Sequence, residues 1–201
     1  MARIVVSEFV TLDGFIDEPK WTWQFSRGPE ANKFKLDELF ASDALLLGRV
    51  TYEGFAQAWP SMTDDAGFAD KMNSMRKYVV SATMTDVEAT WHNTTVLRGD
   101  VVREVAELKS EAGGDILVEG SCQLVHTLVE QNLIDEYRLM VFPLVLGGSK
   151  HLFPNLNAEE VRLSLTEAKT DDSGVLLLTY APAAPTELPA ADEVLASSSR
   201  A

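Results

Sequence analysis

Runs of apolar residues separated by short polar turns dominate the chain, and their period changes along it. Residues 3–10, RIVVSEFV, are β-branched and are followed by the turn pair Asp13-Gly14, which predicts a first strand. Residues 15–29 read as a loop, with Pro19, Gly28 and Pro29, although Trp21, Trp23 and Phe25 need cover from core or ligand. From Pro29 to about Ser42 a helix is expected, with Pro29 in its first turn and Phe34, Leu39 and Phe40 on a shared buried side. ALLL (44–47) is apolar on both faces, the pattern of a strand in a sheet covered by helices. A helix from about Thr51 to Ala58 stops at Trp59-Pro60.

Residues 61–76 are polar and weakly helical. KYVVSAT (77–83) and TTVLRG (94–99) predict two more strands. Asp100 is placed to cap the helix VVREVAELKSEA, which ends at Gly113-Gly114. DILVEG (115–120) is a short buried strand, and Gly120 or Ser121 begins a helix that turns Leu124, Leu128 and Val125 inward. EYRLMVF (136–142) is a strand broken by Pro143. VRLSLTEAKT (161–170) and GVLLLTYA (174–181), joined by Asp171-Asp172-Ser173-Gly174, predict an antiparallel hairpin. Strand–helix alternation followed by strands alone implies an α/β fold: a mixed, mostly parallel sheet, helices on both faces, and an antiparallel C-terminal edge. Residues 1–181 form one domain on this reading, and the Pro-, Ala- and Ser-rich residues 182–201 a disordered tail.

Composition narrows the partners. With 31 acidic against 17 basic residues, the formal net charge of -14 excludes a phosphate-backbone binder and requires any anion site to be a local positive pocket. The one cysteine, Cys122, rules out an internal disulfide and fits a reducing cytoplasm. The N-terminus lacks signal-peptide character, and no stretch approaches the ~18 apolar residues of a membrane span. His92, His126 and His151 are widely spaced, so no metal site is expected. Cys122 reads as a small core residue.

Ligands of such sheets bind beyond the carboxyl ends of the strands. Gly48-Arg49-Val50-Thr51 stands at one such end. Glycine admits a ligand to the backbone, the following helix start offers free N–H groups, and a guanidinium suits phosphate. The alternative is a plain turn with a solvent-facing arginine. In ILVEGSCQL (116–124) the same physics recurs at Gly120-Ser121, against the alternative of a tight strand-to-helix junction. Ser81 and Thr83, with Arg98 a strand later, offer hydroxyls and charge for an adenosine-side phosphate, or simple capping. Two junctions of this kind in one sheet point to a phosphate-rich nucleotide.

TLDGFI (11–16), LLLGRVTYEGF (45–55), KYVVSAT (77–83), ILVEGS (116–121) and LIDEYRLMVFPLVLGGSKHLF (133–153), in that order, resemble the dihydrofolate reductase-like family, closest to its riboflavin-biosynthesis reductase branch. The resemblance spans about residues 2–181. It implies a three-layer α/β/α dihydrofolate reductase-like fold, NADPH as hydride donor, and often a homodimer. It assigns Gly48, Arg49 and Thr51 to the cofactor phosphates, Ser81 and Thr83 to the adenosine end, and Val118, Glu119, Gly120 and Ser121 to the turn along the pyrophosphate and nicotinamide. Preference for NADPH over NADH rests on Arg49, helped by Arg98. Gly147-Gly148 shapes a loop or a dimer contact.

Two positions depart from the folate enzymes. Glu119 and Ser121 stand where glycines are usual, and Asn32 stands near the place of the acid that holds a pterin, with Glu30 offset. Dihydrofolate is therefore not the expected substrate. Asp13 and Glu119 are the candidates for substrate contact or proton delivery, although Asp-Gly is also a common turn pair. Trp21 and Trp23 are candidates for a loop over the active site, with ordinary packing as the alternative. The expected activity is reduction of a small heterocyclic or carbonyl-bearing metabolite by NADPH. The alternatives are the riboflavin-pathway 5-amino-6-(5-phosphoribosylamino)uracil reductase, whose deaminase partner is not expected within this chain, and a non-catalytic nucleotide-binding domain of the same fold.

Overall fold

Leu45, Leu46 and Leu47 are all fully buried, which requires a strand covered on both faces. The computed structural model describes residues 1–110, 113–153 and 161–184 and supplies that cover. In chain order the elements are β1 (Ile4–Thr11), α1 (Pro29–Ala41), β2 (Ser42–Gly48), α2 (Arg49–Ala58), α3 (Phe68–Ser74), β3 (Arg76–Val80) and β4 (Thr94–Leu97). Then follow α4 (Val101–Ser110), β5 (Asp115–Val118), α5 (Cys122–Glu130), β6 (Glu136–Phe142), β7 (Leu163–Thr170) and β8 (Leu176–Pro182). They build one eight-stranded sheet in the order β4-β3-β2-β5-β1-β6-β8-β7. The strands from β4 through β6 run parallel, β8 pairs antiparallel with β6, and β7 antiparallel with β8.

Alternation along each strand divides the core between two faces. Ile4, Val6, Ile116 and Val118 face α4 and α5, meeting Val105, Leu108, Leu124, Val125, Leu128 and Val129. Val5, Leu45, Leu47 and Leu117 face the other way, toward Leu39 of α1, Tyr52 of α2 and Met72 of α3. This is the three-layer, mixed and mostly parallel arrangement expected. Asp100 caps α4 as anticipated, its Oδ1 accepting from the amides of Val102 at 3.0 Å and Arg103 at 3.2 Å.

Several local expectations are corrected. Phe40 is 52% exposed, and the buried face of α1 carries Lys35 and Glu38 beside Phe34 and Leu39. β3 ends at Val80, so Ser81 and Thr83 lie in the loop after it. α2 starts at Arg49, and the loop 15–29 contains a 3-10 turn, Pro19–Gln24. Within it Trp21 and Phe25 pack edge-on against Phe142, both with ring centroids 5.3 Å away, while Trp23 is 76% exposed. β8 runs through Pro182, and the Ala183 amide donates to the Arg162 carbonyl, so ordered backbone passes the expected boundary. The rest of the expected tail, 185–201, and the expected end of α4 at 111–112 lie outside the described residues.

Candidate active site

The sheet order makes β2 and β5 neighbours, and this joins the two glycine-containing junctions. Gly48 ends β2 directly before α2, and Ser121 precedes α5. The Gly48 amide donates to the Gly120 carbonyl at 3.4 Å. A Cβ on Gly48 would collide with the Ser121 hydroxyl and lie 3.0 Å from the Ser121 Cβ. A Cβ on Gly120, whose φ is +75°, would lie 2.9 Å from Thr51 Oγ1. Gly48, Thr51, Gly120 and Ser121 thus form one contiguous patch. The Gly120–Ser121 peptide bond is cis. Neither α2 nor α5 carries a side-chain cap at its N-terminus. The first amides of both helices, with the positive ends of their dipoles, converge on this patch.

Arg49 stands at its rim. It donates through Nη1 to Thr83 Oγ1 at 2.6 Å and through Nε to Glu53 at 2.7 Å. The loop carrying Thr83 is shaped by Ser81, whose Oγ accepts from the amides of Thr83 at 3.3 Å and Met84 at 3.0 Å. Arg98 braces the same loop through the Met84 carbonyl at 3.0 Å and Asp86 at 2.7 Å. Arg49 and Thr83 therefore meet, while Ser81 and Arg98 hold the segment that brings Thr83 there. Val118 is fully buried, so only its backbone borders the patch.

Asp13 is placed differently from Glu119. Its carboxylate accepts from the Thr11 hydroxyl and from the amides of Gly147 at 2.7 Å and Leu146 at 3.4 Å. Those bonds, the Thr11 hydroxyl first, hold it below the usual carboxylate range. It is an ionised anchor for the 144–148 loop rather than a group carrying a proton at neutral pH. Glu119 points beneath α1, where its Oε1 accepts from Lys35 Nζ at 2.6 Å.

That contact belongs to a charged cluster of which only Glu119 was singled out from the sequence. Lys35 Nζ also donates to Ser7 Oγ at 3.0 Å and ion-pairs with Glu38 Oε1. Ser7 donates to the same Glu38 oxygen at 2.6 Å, and Arg138 Nε lies 3.5 Å from Glu38 Oε2. Burial acts to lower the Lys35 ammonium, but Glu119 and Glu38 outweigh it and hold the group above its ordinary value. Burial raises Glu38 against the pull of Lys35. On the opposite face of β1, Glu8 accepts the Gly120 amide at 2.9 Å. Burial, reinforced by Glu119, pushes its carboxyl up to about 8. One signal for this cluster was present in the sequence, since Ser7-Glu8 interrupts the apolar run of β1. Lys35 and Glu38 gave none, because charged residues three apart on a helix ordinarily face solvent.

Among the described residues, no group of three His, Cys, Asp or Glu side chains could hold a metal ion, and no helix is long and apolar enough to cross a membrane.

Residues 2–177 match the RibD C-terminal domain family. The uncharacterized protein YyaP of Bacillus subtilis (strain 168) is 29% identical over 185 residues, which is 89% of this chain and 94% of YyaP. Among solved structures, a putative riboflavin biosynthesis protein from Shewanella sp. PV-4 superposes with a TM-score of 0.74 at 21% identity, covering 92% of this chain and 100% of that one. Dihydrofolate reductase from Enterococcus faecalis, complexed with NADP(H) and RAB-propyl, superposes at 0.60 with 16% identity over 90% of this chain and 97% of that one. These two likenesses establish the dihydrofolate reductase-like fold.

Proposed function

The chain belongs to the RibD C-terminal domain family, and from that footing we propose that it is a reductase that uses NADPH to reduce a small heterocyclic or carbonyl-bearing metabolite other than dihydrofolate. Family and fold together support a reductase-type function. The observation that carries the cofactor reading is the contact between the uncapped starts of α2 and α5 at Gly48 and Ser121, with Arg49 and Thr83 at the rim. When bound, the dihydronicotinamide supplies hydride. In this reading, the amides after Gly48 and Gly120, with Thr51 and Ser121, hold the phosphates. Arg49 and Thr83 hold the adenosine-side phosphate, on the loop that Ser81 shapes. Val118, Glu119 and Gly120 border the nicotinamide.

Dihydrofolate is disfavoured by what α1 presents. Asn32 is exposed, the buried position beside it is Ala31, and the buried acid of the helix, Glu38, is already engaged by Lys35 and Ser7. Family membership also favours a second, narrower reading, reduction of the ribosylamino-pyrimidine of riboflavin biosynthesis. An NADPH-consumption assay across pyrimidines, pterins and carbonyl compounds separates the two readings, and binding without oxidation of NADPH by any of them would favour a non-catalytic domain. A cytoplasmic setting, consistent with the lone half-buried thiol of Cys122, completes the proposal.

Calorimetric titration tests the cofactor. NADPH is expected to bind in the micromolar range, and Arg49→Ala to weaken it about tenfold, the loss of roughly one charge-assisted hydrogen bond. No heat and no thermal shift with any nicotinamide nucleotide would overturn the reading.

A further inference from the structure

Glu8 is the acid of this region without a cation. Lys35 directs its three N–H donors to Ser7, Glu38 and Glu119. Arg138 lies against Glu38, and Lys150 is held by Asp17 at 2.9 Å. Among the described residues no ion pair reaches Glu8, and its one hydrogen bond is from the Gly120 amide. The groups around it are Glu119 and Cys122 from the β5–α5 junction and Lys35 and Glu38 from α1. A half-buried carboxyl facing other carboxylates, with no counter-ion of its own, keeps its proton.

We propose that Glu8 is the proton-donating acid of this site, standing beside Gly120 to protonate the heteroatom of a C=O or C=N bond as its carbon receives hydride. The inference rests on the reductase reading. As hydride from a bound dihydronicotinamide would form the new C–H bond, the π bond would break and its electron pair would take the proton of Glu8. The oxidised nicotinamide and a Glu8 carboxylate would remain, and the carboxylate, on a residue only partly buried, would be reprotonated from water. The environment agrees with this role, since burial and Glu119 hold Glu8 protonated up to about pH 8. Glu119, paired to Lys35, is the second carboxyl in a different setting, the arrangement that separates acid from acceptor in many active sites.

The test is a carboxyl NMR titration of the full chain labelled with 13C-glutamate, without nucleotide. One resonance is expected to titrate near pH 8 and to vanish in Glu8→Gln. If every glutamate titrates in the ordinary range, about 4–5, the inference is overturned. Glu38, which burial also raises, is told apart by Glu38→Gln, in which the resonance near 8 should persist, so the assignment is decided even if Glu8→Gln does not fold. With an acceptor found in the consumption assay, the hydride-transfer rate is expected to fall about tenfold per pH unit above 8. Glu8→Gln is expected to lose on the order of 10²–10⁴-fold in that rate, with NADPH affinity at pH 7 nearly unchanged. Hydride transfer intact in Glu8→Gln sinks the Glu8 role alone. Failure of NADPH to bind the wild type sinks the reductase reading and this inference with it.

Discussion

Lys35 is a buried cation whose partners are two carboxylates and a hydroxyl, and its removal would strand Glu38 and Glu119 in a low-dielectric setting. Lys35→Met is therefore expected to destabilise the fold by about 3–5 kcal/mol, read as a lowered urea midpoint, and adding Glu38→Gln should recover part of the loss. An unchanged midpoint would show the cluster to be solvated. Glu8 makes stability depend on pH with a definite sign. Its folded value, about 8, lies above the ordinary 4.5, so the folded chain binds the extra proton between them. The stability it contributes is complete below 4.5 and is lost as pH rises through 8. Denaturation midpoints should thus decline across that window in the wild type and less so in Glu8→Gln. Parallel profiles would contradict the assignment. None of these side-chain roles is written in local sequence, because burial and partners come from segments far apart in the chain.

At the scale of elements, the strand-to-helix junctions were the most legible functional features. Gly48-Arg49 and Gly120-Ser121 advertise a sharp turn into a helix, and both occur where expected. Their mutual contact was not legible, since it depends on β2 pairing with β5. Gly48→Ala tests that contact. The new methyl must displace Ser121, so the junctions should part, costing about 1–3 kcal/mol and most of the nucleotide affinity. A compensating Ser121→Gly in the same chain should restore part of both. If Gly48→Ala binds NADPH as the wild type does, the paired junctions are not the cradle. The Asp13-Gly14 turn shows the opposite case. Its position was readable, but its partners, the amides of Leu146 and Gly147, belong to a loop more than a hundred residues downstream.

For the whole molecule, the sheet order governs both the site and the surfaces left for a partner. The edge strand β7 has a bulge between Leu165 and Glu167 and carries the Glu167–Lys169 ion pair, features that discourage pairing with another strand. The exposed apolar side chains Leu12, Val145 and Leu146 gather instead around the loop that Asp13 anchors. A homodimer, if it forms through this face, should appear in sedimentation equilibrium and dissociate in Val145→Asp/Leu146→Asp. A wild-type monomer at tens of micromolar would overturn the homodimer that the family resemblance implies. Hydrophobic period, turn residues and caps by themselves determined the kinds and order of the elements and the mixed sheet with its antiparallel end, because those signals are local. Only the tertiary structure decided that Gly48, Gly120 and Glu8 meet, that Asp13 anchors a loop, and that Lys35 and Glu38 lie inside. Strand adjacency and desolvation arise between distant segments, and no window of sequence contains both partners.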